Sequence, residues 1–396
     1  MQPWLAAPRQ GLSEAAVREA LSYERGANVR HGVDVLTMTD ALTPERLRFE
    51  GGSVAWSYRA PDRVVGQSDN IAAVRLQGTL TVPADHGLNL NARRLRLWTE
   101  VQMLDGEWAR FYRGVFEVVN PGAKVDDGMI VRQTLTLADK SYRWANSTLT
   151  EPLVLPGSTV VIDWLKADLA ARFGESRFAL ASSTATLGQG RTFERGESWL
   201  AVYSSLLEAI GYDHLTADES GAPAAQSLAT LAGKGIEHTY GAGEGKILTA
   251  GQMEPLLPTL PNVIRFSARQ GPSLGNVEGN GLRTVRNEAT GPASIAARGG
   301  VEVELRVDVD TDTQTALDAV AAADSARYFA GGGLTFTGQV ALNPRHGNRD
   351  VIGINLPRLG TGGGAWLVTG WSSTFGGPTS EANALMSVTA ERKVSL

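Results

Sequence analysis

The stretch 93–119, RRLRLWTEVQMLDGEWARFYRGVFEVV, sets the tightest limit on the fold. Two runs rich in β-branched, aromatic and long apolar residues flank Asp105-Gly106, a two-residue turn signal that ties them into a hairpin. On the first arm Leu95, Leu97, Val101 and Met103 share one face, opposite Arg94, Arg96, Glu100 and Gln102. On the second, simple alternation puts Trp108, Tyr112, Phe116 and Val118 on one face and Phe111 and Val115 on the other. A strand that is apolar on both faces needs cover on both sides. Something must therefore pack against each side of this hairpin.

The surrounding sequence predicts where that cover comes from. Residues 13–25 read as a short helix, with Ser13 as N-cap and Gly26 just past its end. From about 30 to 150 short alternating runs follow one another: GSVAWSY (52–58), IAAVRLQGTLTV (71–82), the hairpin, and MIVRQTLTLAD (129–139). The spacing predicts a β-sandwich or barrel. Helical periodicity then takes over in 161–174 and 197–213, which close at Gly174 and Gly211. In the second helix Trp199, Val202, Leu206 and Ile210 form a core-facing stripe. The Pro-rich MEPLLPTLP marks a boundary near 260. Beyond it strands return around one helix at about 312–329, with Thr311 or Asp312 as N-cap.

These readings predict a mainly β (α+β) chain. Its expected divisions are an N-terminal helical arm (1–30), a first β-barrel or sandwich (31–155), a mixed helical and β region (156–260) and a second β-barrel or sandwich (261–396). A chain of 396 residues exceeds what one hydrophobic core normally serves, which suits several units. With no run near 18 apolar residues, no basic apolar leader and a formal charge of −5, the sequence reads as soluble and ill-suited to gripping nucleic acid.

Familiar chemical motifs fail on inspection. Cysteine is absent, which excludes disulfides, thiolate zinc sites and cysteine nucleophiles. GAGEGKI (241–247) imitates a phosphate loop, but Tyr240 stands at the first Gly position and Ile247 replaces the metal-binding hydroxyl. Asp308, Asp310 and Asp312 begin like a calcium loop, yet Thr313 holds the Gly position and Ala319 the bidentate Glu position. His31, His86, His214, His238 and His346 show no metal spacing and read as surface or turn residues. No catalytic constellation, cofactor or metal is expected.

In VEVELRVDVDTD (301–312), Glu302, Glu304, Arg306, Asp308 and Asp310 share a face opposite five apolar residues. This is either a half-exposed antiparallel strand or an acidic surface that repels polyanions.

Several phrases in order resemble the tail-tip or baseplate hub proteins of long-tailed bacteriophages. They are GSVAWSY…APDRVVGQ (52–67), IAAVRLQGTLTV, the long hairpin, TLTLADKSYRWA (134–145), VDTDTQTALDAVAAADSARYF (309–329), NPRHGNRDVIGINL (343–356) and GAWLVTGWSSTF (364–375). The resemblance covers about 30–155 and 260–396. It implies two tail-tube-like barrel domains per subunit and a homotrimer that matches a sixfold tube above while offering threefold symmetry below. Expected partners are the distal tail protein or tube ring, the tape-measure protein, spike or fibre proteins, and DNA only in transit. The expected place is the virion tail tip, assembled in the host cytoplasm. On this reading Glu302, Glu304, Arg306, Asp308 and Asp310, with Asp126-Asp127, lie near the lumen, and Trp108, Phe111 and Tyr112 include inter-domain or inter-subunit anchors. Cover by a helix of the same domain is the competing reading for that trio. The alternative functions are a carbohydrate- or receptor-binding β-sandwich, which nine tryptophans could serve, and a cell-wall hydrolase.

Overall fold

The computed structural model describes residues 16, 19, 20, 28–57, 75–126, 128, 130–227, 230, 233–241, 252–255, 261–268, 277–289, 294–309, 311, 314–330, 334–344, 346, 347, 350–356, 361–376 and 385–392. The chain is mainly β, as its alternation predicts. The first region holds β1 (Val29–Leu36), β2 (Leu42–Arg46), β3 (Gly51–Ser57), β4 (Leu76–Pro83), β5 (Arg94–Gln102), β6 (Trp108–Asn120), β7 (Lys124–Asp126) and β8 (Val131–Asp139). A short helix α1 (Ser141–Asn146) leads to β9 (Leu153–Leu155), α2 (Val161–Phe173), β10 (Ala179–Leu180), β11 (Arg191–Phe193), α3 (Trp199–Ala209), β12 (Thr216–Ala217) and β13 (Pro223–Ala225). The remainder holds β14 (His238–Gly241), β15 (Gln252–Pro255), β16 (Val263–Ala268), β17 (Val277–Glu278), β18 (Gly281–Arg286), β19 (Glu304–Val309), α4 (Gln314–Ala330), β20 (Leu334–Ala341), β21 (Val351–Leu356), β22 (Thr361–Gly376) and β23 (Leu385–Arg392).

Among the described residues fourteen strands join into one sheet, whose main path runs β15-β20-β23-β22-β3-β4-β8-β6-β5-β1-β2. The long strand β22 makes this continuity. Its first half pairs with β21, and its last seven residues pair with β3, Trp371 lying opposite Trp56. One apolar cluster accordingly mixes both ends of the chain: Val54, Trp56, Leu80, Leu95, Phe116 and Leu137 with Phe336, Ile352, Trp366, Trp371 and Val388.

The middle region has a core of its own around Trp144, Leu165, Leu169, Trp199, Tyr203 and Leu206. Both helices there stop as the sequence predicts. Gly174 (φ 70) and Gly211 (φ 74) adopt the left-handed conformation that other residues resist, and the Ser198 side chain accepts from Ala201 N–H at the start of α3. A third core forms where α4 covers β16 and β19 through Ile264, Phe266, Val307, Leu317 and Ala321.

The hairpin departs from simple alternation. Trp98 pairs with Tyr112, but Leu97 pairs with Gly114, so Arg113 is an extra residue in β6. Gly114, at φ 139, supplies a backbone state that a side chain would strain. The bulge reverses the parity beyond it. Phe111 and Phe116 share the core face, and Tyr112 and Val115 share the other, which corrects the grouping expected from the sequence. Phe111 packs with Val101, Met103 and Ala109 beneath the helical residues Ala16 and Ala20. Val115 is buried on the opposite face, where Gly221 of the middle region lies so close that a Cβ there would come within 2.7 Å of it. Helical residues near the start of the chain and a turn of the middle region thus lie against the two sides.

Candidate interaction surface

Face by face, β1, β5 and β6 bring Arg30, Gly32 and Asp34 beside Arg96, Trp98 and Glu100, and these beside Trp108, Arg110 and Tyr112. The strand pairing thus interleaves arginines with aromatic rings. Arg30 lies over Trp108 at 4.1 Å from the ring centre, Arg110 over Trp98 at 4.1 Å, and Arg96 over Tyr112 at 4.2 Å. Each stack is a cation–π contact, here reinforced by carboxylates below. Glu100 accepts from Arg30 Nε at 2.5 Å and Arg110 Nε at 2.8 Å. Asp34 accepts from Arg96 Nη2 at 2.7 Å and Trp98 Nε1 at 3.0 Å. Trp98 lies flat across Gly32, where a Cβ would fall 1.9 Å from a ring carbon. Gly32→Ala is therefore expected to expel the ring and cost about 1–3 kcal/mol. A red shift in tryptophan emission together with a lower unfolding midpoint would report it.

Of the three aromatics singled out in the sequence, Trp108 and Tyr112 belong to this face. Phe111 does not. It packs on the other face with Val101, Met103 and Ala109 beneath Ala16 and Ala20. The signal that could have found Arg30, Arg96, Trp98 and Arg110 is alternation of Arg with aromatics in two adjacent strands, but only strand register places them side by side.

Glu304, Arg306 and Asp308 lie on β19, with Glu302 just before it. Among the described residues β19 is an edge strand, and it runs parallel to β16, not antiparallel. Neighbouring strands bring arginines to its acids: Arg286 to Glu302 at 2.5 Å and Arg265 to Glu304 at 3.4 Å. Arg306 binds Glu304 at 2.9 Å, and Ser267 donates to Asp308 at 2.5 Å. Among the described residues, each of Glu302, Glu304 and Asp308 thus has an arginine or hydroxyl partner. The cause is lateral pairing with β16 and β18, which the strand's own sequence does not show. Asp310 and Asp127 lie outside the described residues, as do residues 242–247 of the glycine-rich stretch.

Two buried polar centres hold the three regions together, and the sequence alone revealed neither. In the first, Lys140 donates to Asp40 at 2.8 Å, to Gly221 O at 2.8 Å and to Glu175. Arg94 reaches the same Asp40 at 2.9 Å and Glu117 at 3.0 Å. Burial pushes the Asp40 carboxyl up, but Lys140 and Arg94 outweigh it and hold it below its ordinary value. In the second, the bulged Arg113 stacks on Trp371 at 4.4 Å and donates to Pro344 O at 3.1 Å. Burial pulls its guanidinium down to about 10, which still leaves it charged at neutral pH. The same loop carries His346, bonded to Tyr240 at 2.5 Å and to Asp350 at 3.3 Å. His31, His214, His238 and His346 are all buried; His31 and His238 lie in strands, not at the surface or turn positions expected from sequence, whereas His214 and His346 lie between elements.

Near Arg113, Glu219 sits on the turn between β12 and β13. Burial and the nearby Asp218 and Asp350 carboxylates push it up to about 8, only partly offset by Arg113. The folded state thus holds this proton more tightly than the unfolded chain, whose glutamate titrates near 4.5. The stability contributed is complete below that pH and is lost as pH rises through about 8. Glu219→Gln should flatten this decline and leave the variant more stable than the parent at alkaline pH, as thermal melts across the pH range would show. Asp139, raised to about 6 by burial, adds to the decline in both proteins and cancels in the difference.

Seven of the nine tryptophans are accounted for by the core or by arginine stacking among the described residues. Trp56, Trp144, Trp199, Trp366 and Trp371 are core residues, and the faces of Trp98 and Trp108 are occupied by arginines.

No protein-family model matches the sequence, and no curated protein matches it. Solved structures share the fold. A tail protein from Neisseria meningitidis MC58 superposes with a TM-score of 0.62 at 11% identity, covering 92% of this chain and 97% of that one. The prophage MuSo2 43 kDa tail protein from Shewanella oneidensis does so with a TM-score of 0.59 at 12% identity, over 92% of this chain and 98% of the other. Prophage tail protein gp18 from Listeria monocytogenes EGD-e gives 0.52 at 10% identity, over 91% and 94%. Over 91–92% of its length this chain shares the fold of these tail proteins.

Proposed function

We propose that this chain is a structural protein of a phage-type tail, placed at the tip as a trimeric hub. The observation that supports this reading is a shared fold over 92% of this chain and 97–98% of two solved tail-protein chains. In the proposed assembly each subunit contributes two β units, so three copies present six to the tube above and three to the spike or fibres below. Residues 31–155 would form the first unit and 261–396 the second, with 156–260 between them. The ring would line the exit route of the tape-measure protein and DNA. Its work is assembly and passage, with no covalent step. The paired charges of Glu302, Glu304, Arg306 and Asp308 suit a channel wall that neither grips nor strongly repels a passing duplex.

The test is direct. Electron microscopy of intact particles is expected to place three copies around the axial pore. Light scattering on the purified chain is expected to give three times 42.1 kDa where the ring forms without its neighbours. Density away from the axis, or a monomer in the assembled particle, would sink the proposal.

A further inference from the structure

The long sheet has two unlike faces. One carries the core residues Val54, Trp56, Leu80, Leu137, Trp371 and Val388. On the other, strand pairing sets short alcohols side by side. Thr374 of β22 lies opposite Ser53 of β3, Ser53 opposite Thr79 of β4, and Thr79 opposite Thr136 of β8. Directly paired residues share a face, so four strands from both ends of the chain present one row of hydroxyls. Thr79, Thr136 and Thr374 are exposed. The Ser53 and Thr79 hydroxyls share a hydrogen bond at 2.9 Å, and those of Thr81 and Thr134 one at 3.4 Å.

The same chemistry continues into the far half of the sheet. In the next row Ala55 lies opposite Ser372, Ser372 opposite Ser387, and Ser387 opposite Gln339. Beyond it Thr389 lies opposite Thr337. Among the described residues of β20, β23, β22, β3, β4 and β8, charge reaches this face only toward strand ends, at Arg75, Arg132 and Glu391. Arg132 is paired there with Glu50. The next charge along the face is Glu117 on β6, held by Arg94. Threonine suits any exposed strand, but a face that needed only to be soluble would mix in lysine and glutamate.

We propose that this hydroxyl face is the principal wall of the pore, the surface along which duplex DNA slides, with the paired charges of β19 a lesser part. The inference rests on the tail-hub reading and says which side of the subunit faces the axis. Cations on such a wall would neutralise phosphates and hold the duplex. Carboxylates would repel it and raise a barrier to entry. Hydroxyls bonded to one another and to water do neither. The β22–β3 pairing also carries the face from one β unit into the other without a break, as a ring with two units per subunit requires.

The chain has no cysteine, so Thr79→Cys, Thr136→Cys and Thr374→Cys each introduce a single thiol. In the purified chain each should react with both a small maleimide and a bulky polymer-linked one. In assembled particles emptied of DNA only the small reagent should react. Reaction with both would put the face on the outer wall, and reaction with neither would put it between subunits; each result overturns the proposal. In a second arm, Thr79→Lys with Thr136→Lys should slow DNA release about tenfold at low salt and less at high salt. Thr79→Gln with Thr136→Gln should release DNA at the parent rate. Release unchanged by the lysines, or a delay confined to exit of the tape-measure protein, would overturn the assignment to DNA. Should the lysine variant fail to assemble, the thiols decide the matter. Outward thiols on an axial trimer sink this inference and leave the hub reading standing, whereas density away from the axis sinks both.

Discussion

Replacing Lys140 with methionine is expected to cost about 3–5 kcal/mol of stability, the usual consequence of removing one partner from a buried ion pair. The ammonium is fully buried and serves three acceptors from three parts of the chain: Asp40 in the turn after β1, Glu175 after α2, and Gly221 between β12 and β13. Without it two carboxylates and a carbonyl lose their donor at once. Arg94 would still hold Asp40, but Glu175, which burial already pushes up, would take a proton instead of staying charged. The decisive comparison is a triple variant, Lys140→Met with Asp40→Asn and Glu175→Gln. Because no charge is then stranded, it should recover most of what the single variant loses. Chemical denaturation of all three proteins measures this. A single variant as stable as the parent would show that Lys140 does not clamp the middle region to the sheet.

Trp371→Ala is the second large effect, at about 3–5 kcal/mol. This ring faces Trp56 across the β22–β3 pairing and supports the Arg113 guanidinium. Its loss opens a cavity in the one core shared by both ends of the chain and leaves a buried cation with less support. Trp371→Phe keeps an aromatic face and should lose roughly half as much. If hydrogen exchange in β3 and β22 were unchanged by Trp371→Ala, the shared core would not depend on this contact.

Local signals were legible wherever the chain decides its conformation by itself. Asp105-Gly106 fixed the turn, Gly174 and Gly211 ended their helices, and the alternation of GSVAWSY and DVIGINL gave β3 and β21. What stayed hidden depends on residues distant in sequence. One additional residue, Arg113, reverses the faces of β6, and no periodicity count allows for it unless Gly114 is read as a bulge. The acids of 302–308 looked unbalanced because Arg265 and Arg286 come from other strands. Lys140 lay within a phrase noted for its resemblance, TLTLADKSYRWA, yet its three acceptors are 35 to 100 residues away. The burial of His31 and His238 was hidden for the same reason, since it is set by strands and loops remote in sequence.

The course of β22 has a consequence for biosynthesis. A nascent chain can complete β1–β8 early, yet β3 must wait for residues 370–376, near the far end, before its second side is paired. Until then a nascent chain would display β3, which includes Trp56, with one side unpaired, a template for unwanted pairing with neighbouring polypeptides. Truncated products should accordingly precipitate or recruit chaperones, and expression at lower temperature should raise the soluble yield of the full chain far more than that of the middle region.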